Sequence, residues 1–453
     1  MARRLPAYQV GDEDAVLAAT EQILGGAGSV KLIGVGPLVT ANLRSTHRIL
    51  VAAREMTSAA LVVGGPLCAA PMIDDVCTTY LPVDAYVAGD GEEPIVSIWN
   101  NLQAGRAPEV ASGVGLPGRW IAQPHRTANL DDLELPARDL LPGFDVPSAR
   151  RAVGSGRATA AFLSRGCPYS CTFCAAPLSS GRKVRRLSPH RVTDEIRSFR
   201  QLEIEQVIFY DDCLFIRSAQ LNTRILEFCE ALSNAEWTGT FQLELRCDAV
   251  NAMSESALQA LQSVGCRQVN MGIEKGHLAQ LKQFRKRLLP EQARDSVDRL
   301  VSTGIRAAGT FIVGGAGETM EDIDQTIKFA CSLNLDFAHF NPLAVYPGTQ
   351  LFSETFGHAA EWLPLCLDDK ISPMGDILWR SADMPLSAIL DSVAQGYRDF
   401  YTTARLSGAL ARAPRSERAE LTESYEVLAV RRPHSWDTPS RALNTDGSCG
   451  VAG

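Results

Sequence analysis

The sequence RGCPYSCTFCAAP at residues 165–177 places three cysteines, Cys167, Cys171 and Cys174, four and then three positions apart. No histidine or fourth cysteine lies close by, and a structural zinc ion normally takes four protein ligands, so a zinc site would need a distant residue. An iron–sulfur cluster is also usually held by four cysteines. Three thiolates would leave one iron open to a substrate or cofactor. The spacing therefore favours a cluster with an open coordination position, and a non-enzymatic binding protein stabilised by zinc or by a cluster is the alternative.

Six strand-like segments alternate with helix-like segments beyond Arg157, and the cysteines follow directly after the first of them. The apolar strand segments are ATAAFLS (158–164), QVIFY (206–210), TFQLELR (240–246), RQVNMGI (267–273), IRAAGTFIV (305–313) and DFAHFNPLAVY (336–346). Helical segments lie near 190–202, 217–233, 254–264, 290–303 and 319–333. Six consecutive strand–helix units predict a (β/α)6 partial TIM barrel with its chemistry at the carboxyl ends of the strands.

The third and fourth strand segments alternate between apolar and polar residues, which is typical of strands with two different faces. The apolar positions are Phe241, Leu243 and Leu245 on one strand and Val269, Met271 and Ile273 on the next. The polar positions are Gln242, Glu244 and Arg246, then Gln268, Asn270 and Glu274. Since helices must cover the apolar face, the polar face is expected to point into the barrel and enclose a polar site. The alternative is an antiparallel sheet with one wet side.

The whole chain is predicted to be an α/β protein. Residues 1–104 form a truncated Rossmann-like domain with a parallel sheet, and 105–157, rich in Pro, Gly and Arg, form a linker. Residues 158–350 form the partial barrel, 351–430 a helical C-terminal region and 431–453 a flexible tail. In the N-terminal domain, ligands are expected at the carboxyl ends of the strands. The residues there are Gly64, Gly65, Gly89 and Gly91.

Composition indicates an ordinary soluble protein, with 45% hydrophobic and 21% charged residues in 453. The net charge of -8 argues against a nucleic-acid partner. The opening residues MARRLPAYQV lead into GDEDAV rather than an apolar signal segment, and the most apolar stretch is too short and too interrupted to span a membrane. Twelve cysteines in such a chain are expected to be reduced, buried or bound to metal. We therefore expect a cytoplasmic protein with no membrane partner.

The cysteine segment, with Phe173 as the aromatic residue before the last cysteine, resembles the CxxxCxxC motif of the radical S-adenosylmethionine (SAM) superfamily. The resemblance implies a [4Fe-4S] cluster whose open iron is chelated by SAM. One-electron reduction, from a flavodoxin- or ferredoxin-type donor, then yields a 5′-deoxyadenosyl radical that abstracts a substrate hydrogen.

Most of the chain resembles one branch of that superfamily, which has an N-terminal cobalamin-binding-type domain. The similar segments are LVVGGP, VAGDGEEP, NLDDLELPARDLLP, VIFYDDCLF, LRCDAVN, GCRQVNMGIEKG, FIVGGAGET and YPGTQLF. By position in this branch, Asp211 and Asp212 are expected near the methionine amino group of SAM. Glu244, Arg246 and Glu274 are expected to hold its ribose or its carboxylate, arginine being suited to a bidentate carboxylate contact. An internal, charge-balanced network is the alternative role for these three residues.

Members of the branch that bind cobalamin usually begin with a further strand, helix and strand before the helix predicted here at about Asp12 to Leu24. The sequence also contains no D-x-H-x-x-G motif. We therefore expect a remnant domain that binds no cobalamin.

Without cobalamin, the expected chemistry is hydrogen abstraction followed by elimination, rearrangement or oxidation. The layout resembles the radical diol dehydratases of aminoglycoside biosynthesis, which act on paromamine. A cationic amino sugar suits the acidic interior, and loss of water needs an acid and a base. Candidates for these roles are Tyr210, Glu244, His339 and Tyr346. The predicted function is dehydration of a vicinal diol on an aminoglycoside, and the alternative is a cobalamin-dependent radical SAM C-methyltransferase acting on a natural product.

Overall fold

The computed structural model describes residues 13–25, 30–119, 121, 123–140, 157–357, 362–367, 377–379, 381, 383–429, 442–443 and 449–450. The chain divides into two compact units. The first comprises residues 1–145, 166–183 and 344–377, and the second 146–165, 184–343 and 378–453. Most of the predicted tail, and residues 141–156 of the predicted linker, lie outside the described residues.

The helices and strands are numbered in chain order. The strands are β1 (Leu32–Val35), β2 (Ala60–Gly64), β3 (Ala85–Val87), β4 (Val114–Gly115), β5 (Arg157–Ala161), β6 (Ser164–Arg165), β7 (Arg185–Arg186), β8 (Ile204–Phe209), β9 (Thr240–Leu245), β10 (Cys266–Glu274), β11 (Arg306–Val313), β12 (Phe337–Pro342), β13 (Ala442–Leu443) and β14 (Cys449–Gly450). The helices are α1 (Glu13–Gly25), α2 (Leu43–Met56), α3 (Ile73–Thr79), α4 (Glu92–Gln103), α5 (Ala176–Ser179), α6 (Pro189–Gln201), α7 (Leu221–Asn234), α8 (Cys247–Ala252), α9 (Glu255–Ser263), α10 (Leu278–Gln283), α11 (Pro290–Thr303), α12 (Met320–Ser332), α13 (Gln350–Phe356), α14 (Trp362–Leu367), α15 (Leu386–Phe400), α16 (Thr403–Arg412) and α17 (Arg418–Ala429). None of these helices is long and apolar enough to cross a membrane.

The first unit contains a small sheet in the order β1-β2-β3-β4. The first three strands are parallel, as predicted, but β4 pairs with β3 in the antiparallel direction. Strand β4 lies in the segment 105–157 that is predicted as a linker, and it adds an antiparallel strand to the sheet predicted as parallel. The physical reason is burial, because Val114 of β4 is only 1% exposed and packs in the same core as Val62, Val87 and Ile98.

The second unit is built on a six-stranded sheet in the order β12-β11-β10-β9-β8-β5, with every pair parallel. Each strand lies beside the next strand of the sheet along the chain, and helices return the chain between them. This is the curled, parallel half-barrel sheet of a mixed α/β fold that the strand–helix alternation predicts.

Helix starts in the second unit follow local sequence signals. The Ser188 hydroxyl accepts a hydrogen bond from the Arg191 N–H at the start of α6, with Pro189 in the first helical position. Thr319 and Asp322 form a reciprocal capping box at the start of α12. The apolar faces of these strands and helices meet in a common core, where the rings of Phe209, Phe228 and Phe241 make edge-to-face contacts.

The C-terminal helices hold the edge strand β12 through tyrosine hydroxyls. The Tyr401 hydroxyl accepts from the Ala338 N–H at 3.0 Å and donates to the Ala338 carbonyl at 2.9 Å. The Tyr397 hydroxyl accepts from the Phe340 N–H at 3.3 Å. An edge strand otherwise presents unpaired backbone groups, so these side chains complete the hydrogen bonding of β12.

Candidate functional site

The three cysteines lie on a loop that begins directly after β6 and ends at α5. The Cys167 N–H donates to the Gly181 carbonyl at 2.9 Å, and the Cys174 N–H donates to the Cys171 carbonyl at 3.2 Å. Another backbone bond, from the Leu351 N–H to the Thr172 carbonyl, ties the loop to α13 within the first unit. The backbone of the cysteine loop is therefore fixed by hydrogen bonds at both ends and in its middle.

The exposure of the three loop thiols distinguishes them from most of the other cysteines. Cys167, Cys171 and Cys174 are half-buried. Buried cysteines such as Cys77 and Cys229 are only 4% and 6% exposed, and burial raises the pKa of each of these two to about 12. Metal ligation requires the thiolate, so buried cysteines of this kind are poor ligands.

The donor set of the loop fits an iron–sulfur cluster by its chemistry, since clusters are bound by cysteine thiolates. Within the described part of the chain, no group of three or more Cys, His, Asp or Glu side chains is positioned to bind a metal ion. The assignment of Cys167, Cys171 and Cys174 to a cluster therefore rests on their spacing, exposure and chemistry. Phe173 lies in the same loop and is half-buried.

Asp211 lies at the carboxyl end of β8 and is turned into the protein. It is 3% exposed, and its Oδ1 accepts from the Leu163 N–H at 3.0 Å and from the Ser164 hydroxyl at 2.6 Å. Its Oδ2 is buried with no hydrogen-bond partner among the described residues. Burial raises the pKa of Asp211 to about 7, against the lowering effect of these hydrogen bonds. Asp211 thus joins the ends of neighbouring strands, whereas Asp212 is exposed.

Polar side chains of β9 and β10 form a hydrogen-bonded row, here called the polar ladder: Gln242, Glu244, Gln268 and Asn270. The Asn270 amide donates to Glu244 Oε1 at 2.8 Å. The Gln268 amide donates to Asn270 Oδ1 at 2.7 Å and to Gln242 Oε1 at 3.3 Å. Burial raises the pKa of Glu244, and the Asn270 hydrogen bond opposes this shift. The ladder is half-buried except for Gln268, which is buried.

Arg246 and Glu274, at the ends of the same two strands, belong to a charge-balanced network. Arg246 Nε donates to Asp248 Oδ1 at 2.8 Å, and its terminal nitrogen donates to the Lys286 carbonyl at 2.9 Å. Lys286 Nζ in turn donates to Glu274 Oε1 at 2.6 Å. The alternative role considered for Arg246 and Glu274, an internal network, is thus present in the structure. Sequence analysis did not include Lys286, which lies twelve residues beyond Glu274.

A second buried ion pair lies after β10 and β11, and sequence analysis missed it too. Lys275 Nζ contacts both carboxylate oxygens of Glu318 at 2.7 Å and the Gly314 carbonyl at 3.1 Å, and both side chains are fully buried. Burial lowers the pKa of Lys275 and raises that of Glu318, and the opposite charge of each partner counteracts both shifts. Lys275 directly follows β10, and Glu318 lies in the loop between β11 and α12.

The remaining candidate residues are distributed over both units. His339 is half-buried on β12, in register with Thr310 of β11. Tyr210 follows β8 and is 49% exposed. Tyr346 belongs to the first unit, where its carbonyl accepts from the Thr349 hydroxyl at the start of α13. The second unit contains the other candidates. Two adjacent strands and their ends carry Glu244, Arg246 and Glu274, and other strands of the same sheet and their ends carry His339 and Tyr210.

The strand ends of the small N-terminal sheet are covered by the chain itself. A side chain at Gly65, after β2, would overlap the backbone of Leu38, which bonds to the Gly64 carbonyl at 2.7 Å. A side chain at Gly89, after β3, would overlap the carbonyl oxygen of His125. These glycines therefore allow close packing of the chain on itself at the ends of β2 and β3.

Residues 162–330 match the Radical SAM superfamily. This part of the chain is therefore a radical SAM domain, which implies SAM and a [4Fe-4S] cluster as cofactors.

An uncharacterized methyltransferase of Pyrococcus horikoshii is 31% identical over 278 residues, 60% of this chain and 57% of the relative. The anaerobic magnesium-protoporphyrin IX monomethyl ester cyclase of Rubrivivax gelatinosus is 25% identical over 370 residues, 80% of this chain and 64% of the relative. The chain thus spans less than two thirds of these relatives. Other matching proteins named as methyltransferases act on bacteriochlorophyllide d and on cytidylyl-2-hydroxyethylphosphonate.

The structure of OxsB, a cobalamin-dependent SAM radical enzyme with aqua-cobalamin and SAM bound, matches with a TM-score of 0.65 and 16% identity. The match covers 93% of this chain and 66% of that one. At this identity the likeness shows a shared fold.

Proposed function

We propose that this protein is a radical SAM enzyme that dehydrates a vicinal diol on a cationic amino sugar. The observation that carries the proposal is the polar ladder with its buried carboxyl group. Amide and carboxyl groups arranged on one sheet suit a ligand rich in hydroxyl and ammonium groups, because each ligand group then finds a donor or an acceptor. An apolar substrate would leave the polar atoms that are not used within the ladder without partners, at a cost in binding free energy.

The cluster and SAM, when bound, supply the 5′-deoxyadenosyl radical that removes a carbon-bound hydrogen from the diol. Cys167, Cys171 and Cys174 are the residues that would hold the cluster. The residues of the second unit would bind and orient the sugar and move its protons.

Loss of water from the substrate radical needs a base at the hydroxyl that becomes a carbonyl and an acid at the hydroxyl that departs. We assign the acid to Glu244, because burial raises its pKa and thus favours the protonated form. The Asn270 amide fixes Glu244 Oε1 and so orients the carboxyl group. We assign the base to His339, a half-buried imidazole on the same sheet. Tyr210 and Tyr346 are the alternative proton carriers.

The substrate hydroxyl gives its proton to His339, and the neighbouring hydroxyl leaves as water with a proton from Glu244. The carbon radical that remains takes one electron from a flavodoxin- or ferredoxin-type donor and one proton, which gives a deoxy-ketone.

The test uses the anaerobically reconstituted protein with SAM, a low-potential reductant and paromamine. The expected products are 5′-deoxyadenosine and a 4′-oxo-3′-deoxy sugar, observed by mass spectrometry. A neutral disaccharide of similar size is the substrate control and should give no dehydrated product. The Glu244→Gln variant should lose the sugar product, while Glu230→Gln, on the exposed side of α7, should keep it. Release of 5′-deoxyadenosine with no sugar product from paromamine would contradict the proposal.

The second candidate is a cobalamin-dependent radical SAM methyltransferase, favoured by the methyltransferases among the matching relatives and by the likeness to the cobalamin-bound OxsB. The reconstituted protein is incubated with excess hydroxocobalamin and then desalted. Stoichiometric cobalamin in the absorbance spectrum, with S-adenosylhomocysteine formed on turnover, would establish methyl transfer in place of dehydration.

A further inference from the structure

The loop between α10 and α11 places one lysine against a predicted SAM-binding carboxylate. Lys286 Nζ lies 2.6 Å from Glu274 Oε1, and the two side chains are 9% and 7% exposed. A buried carboxylate with a bound ammonium group has one oxygen committed and a restricted rotamer. The loop thus fixes the orientation of a residue that lies at the carboxyl end of the central strand β10.

The backbone around the pair adopts conformations that these residue types rarely take. Glu274 has φ of 71°, and Arg285 and Arg287, on either side of Lys286, have φ of 51° and 53°. Left-handed backbone at residues other than glycine persists only where the surrounding structure holds it. Such positions are concentrated at ligand sites, so a function for the pair is to be sought there.

Two contacts hold Lys286 in place. Its carbonyl accepts from the terminal nitrogen of Arg246, so that the loop is fastened to the end of β9 as well as to β10. Gly272 leaves the space for the ion pair: a Cβ there would overlap Glu274 Oε1 and lie 2.7 Å from Lys286 Nζ. Arg246, Gly272, Glu274 and Lys286 therefore act as one packed unit.

We propose that Lys286 is the positioning residue for Glu274 in SAM binding: it holds one carboxylate oxygen so that the other is presented to the bound SAM. The inference rests on the proposed function, since it requires a protein that binds SAM. Lys286 neutralises the buried carboxylate through the contact of its ammonium group with Oε1. Removing the ammonium group would free the rotamer of Glu274 and weaken SAM binding through Glu274 alone.

The experiment measures SAM affinity by calorimetry on the cluster-reconstituted, unreduced protein, in which SAM is bound but not cleaved. Lys286→Met and Glu274→Gln should each weaken binding by about ten- to a hundred-fold, the range for loss of one charge-assisted hydrogen bond. The double variant should be no weaker than Glu274→Gln, because Lys286 acts through Glu274. Lys286→Arg should restore most of the affinity. Lys328→Met, which removes an exposed lysine paired with Asp324, is the matched control and should leave the affinity unchanged.

Two further variants keep the test decisive if Lys286→Met does not fold. The double variant Lys286→Met with Glu274→Gln leaves no unpaired charge and so avoids the main cause of unfolding. Gly272→Ala keeps both charges and displaces only their geometry, and it should also weaken SAM binding.

Affinity within twofold of wild type for a folded Lys286→Met or Gly272→Ala variant would overturn the inference while leaving the proposed function intact. Independent, multiplicative losses in the double variant would overturn it too. A reconstituted wild-type protein that binds no SAM would overturn the proposed function, and this inference with it.

Discussion

Removing the Lys275 ammonium group should be among the most damaging single changes in the barrel. Lys275→Met keeps most of the side-chain volume but leaves the Glu318 carboxylate fully buried without its cation. Both oxygens of Glu318 now contact Lys275 at 2.7 Å. After the substitution neither oxygen keeps that contact.

The size of the loss follows from the burial of the pair. Breaking a buried ion pair by removing one partner costs about 3–5 kcal/mol. For a domain of 150–250 residues, each kcal/mol corresponds to about 2–4 °C in Tm, so the expected fall in Tm is roughly 6–20 °C. A double variant, Lys275→Met with Glu318→Leu, removes the stranded charge and should recover most of that loss.

Differential scanning fluorimetry at several pH values measures the effect. In Lys275→Met, the buried carboxylate of Glu318 is disfavoured, so its pKa in the folded state is raised above its unfolded value. Folding then binds a proton, and the variant should regain stability as the pH falls. The exposed-lysine variant Lys328→Met is the control, since surface pairs contribute little. A Tm within 2 °C of wild type for Lys275→Met, or a double variant as unstable as the single one, would refute the reasoning.

Three further predictions concern residues with different roles. Because burial raises the pKa of Asp211 to about 7, its contribution to stability should be lost as the pH rises from about 4 to 7. Asp211→Asn should therefore have a higher Tm than wild type at pH 8 but not at pH 4, and the exposed Asp212→Asn control should show no such effect. An equal difference in Tm at both pH values would disprove this prediction. Cys171→Ser should reduce the iron and sulfide contents after reconstitution to background. Cys213→Ser, at a buried cysteine, should retain both iron and sulfide. Equal iron contents in the two variants would contradict the assignment of the loop thiols. Tyr401→Phe removes two hydrogen bonds to the edge strand β12. It should lower the free energy of unfolding by about 1–3 kcal/mol, measured as a lower Tm. An unchanged Tm would show that these hydrogen bonds do not stabilise β12.

The strands and helices of the barrel were predictable because their signals are local. Alternation with a period of two marked β9 and β10, and the structure shows local caps at helix starts, such as Ser188 and Thr319. The order of the six strands followed from the rule that strands joined by helices lie side by side and parallel. Strand β4 could not be found in this way, because two residues show no period and are placed by burial of Val114 alone.

The charged network at the strand ends could be predicted only in part. Arg246 and Glu274 were identified from their place on the polar side of two strands. Lys286 was not, because its loop takes two left-handed residues that no sequence pattern signals, and because an ion pair depends on where a loop returns in space. The orientation of Asp211 could not be predicted either. Its sequence position predicted a place near the methionine amino group of SAM, but its inward orientation depends on the Ser164 hydroxyl of a neighbouring strand.

The C-terminal helices bear on the chemistry of the barrel through the edge strand. A half-barrel has an exposed edge, and a strand at an edge can shift its register unless its outer backbone groups are occupied. Tyr397 and Tyr401 occupy those groups on either side of His339, at Ala338 and Phe340. A one-residue slip of β12 would turn the His339 imidazole to the opposite face of the sheet. The helices that follow the barrel therefore hold His339 in register with Thr310. Under the proposed function, loss of the tyrosine hydroxyls should impair the proton transfer assigned to His339.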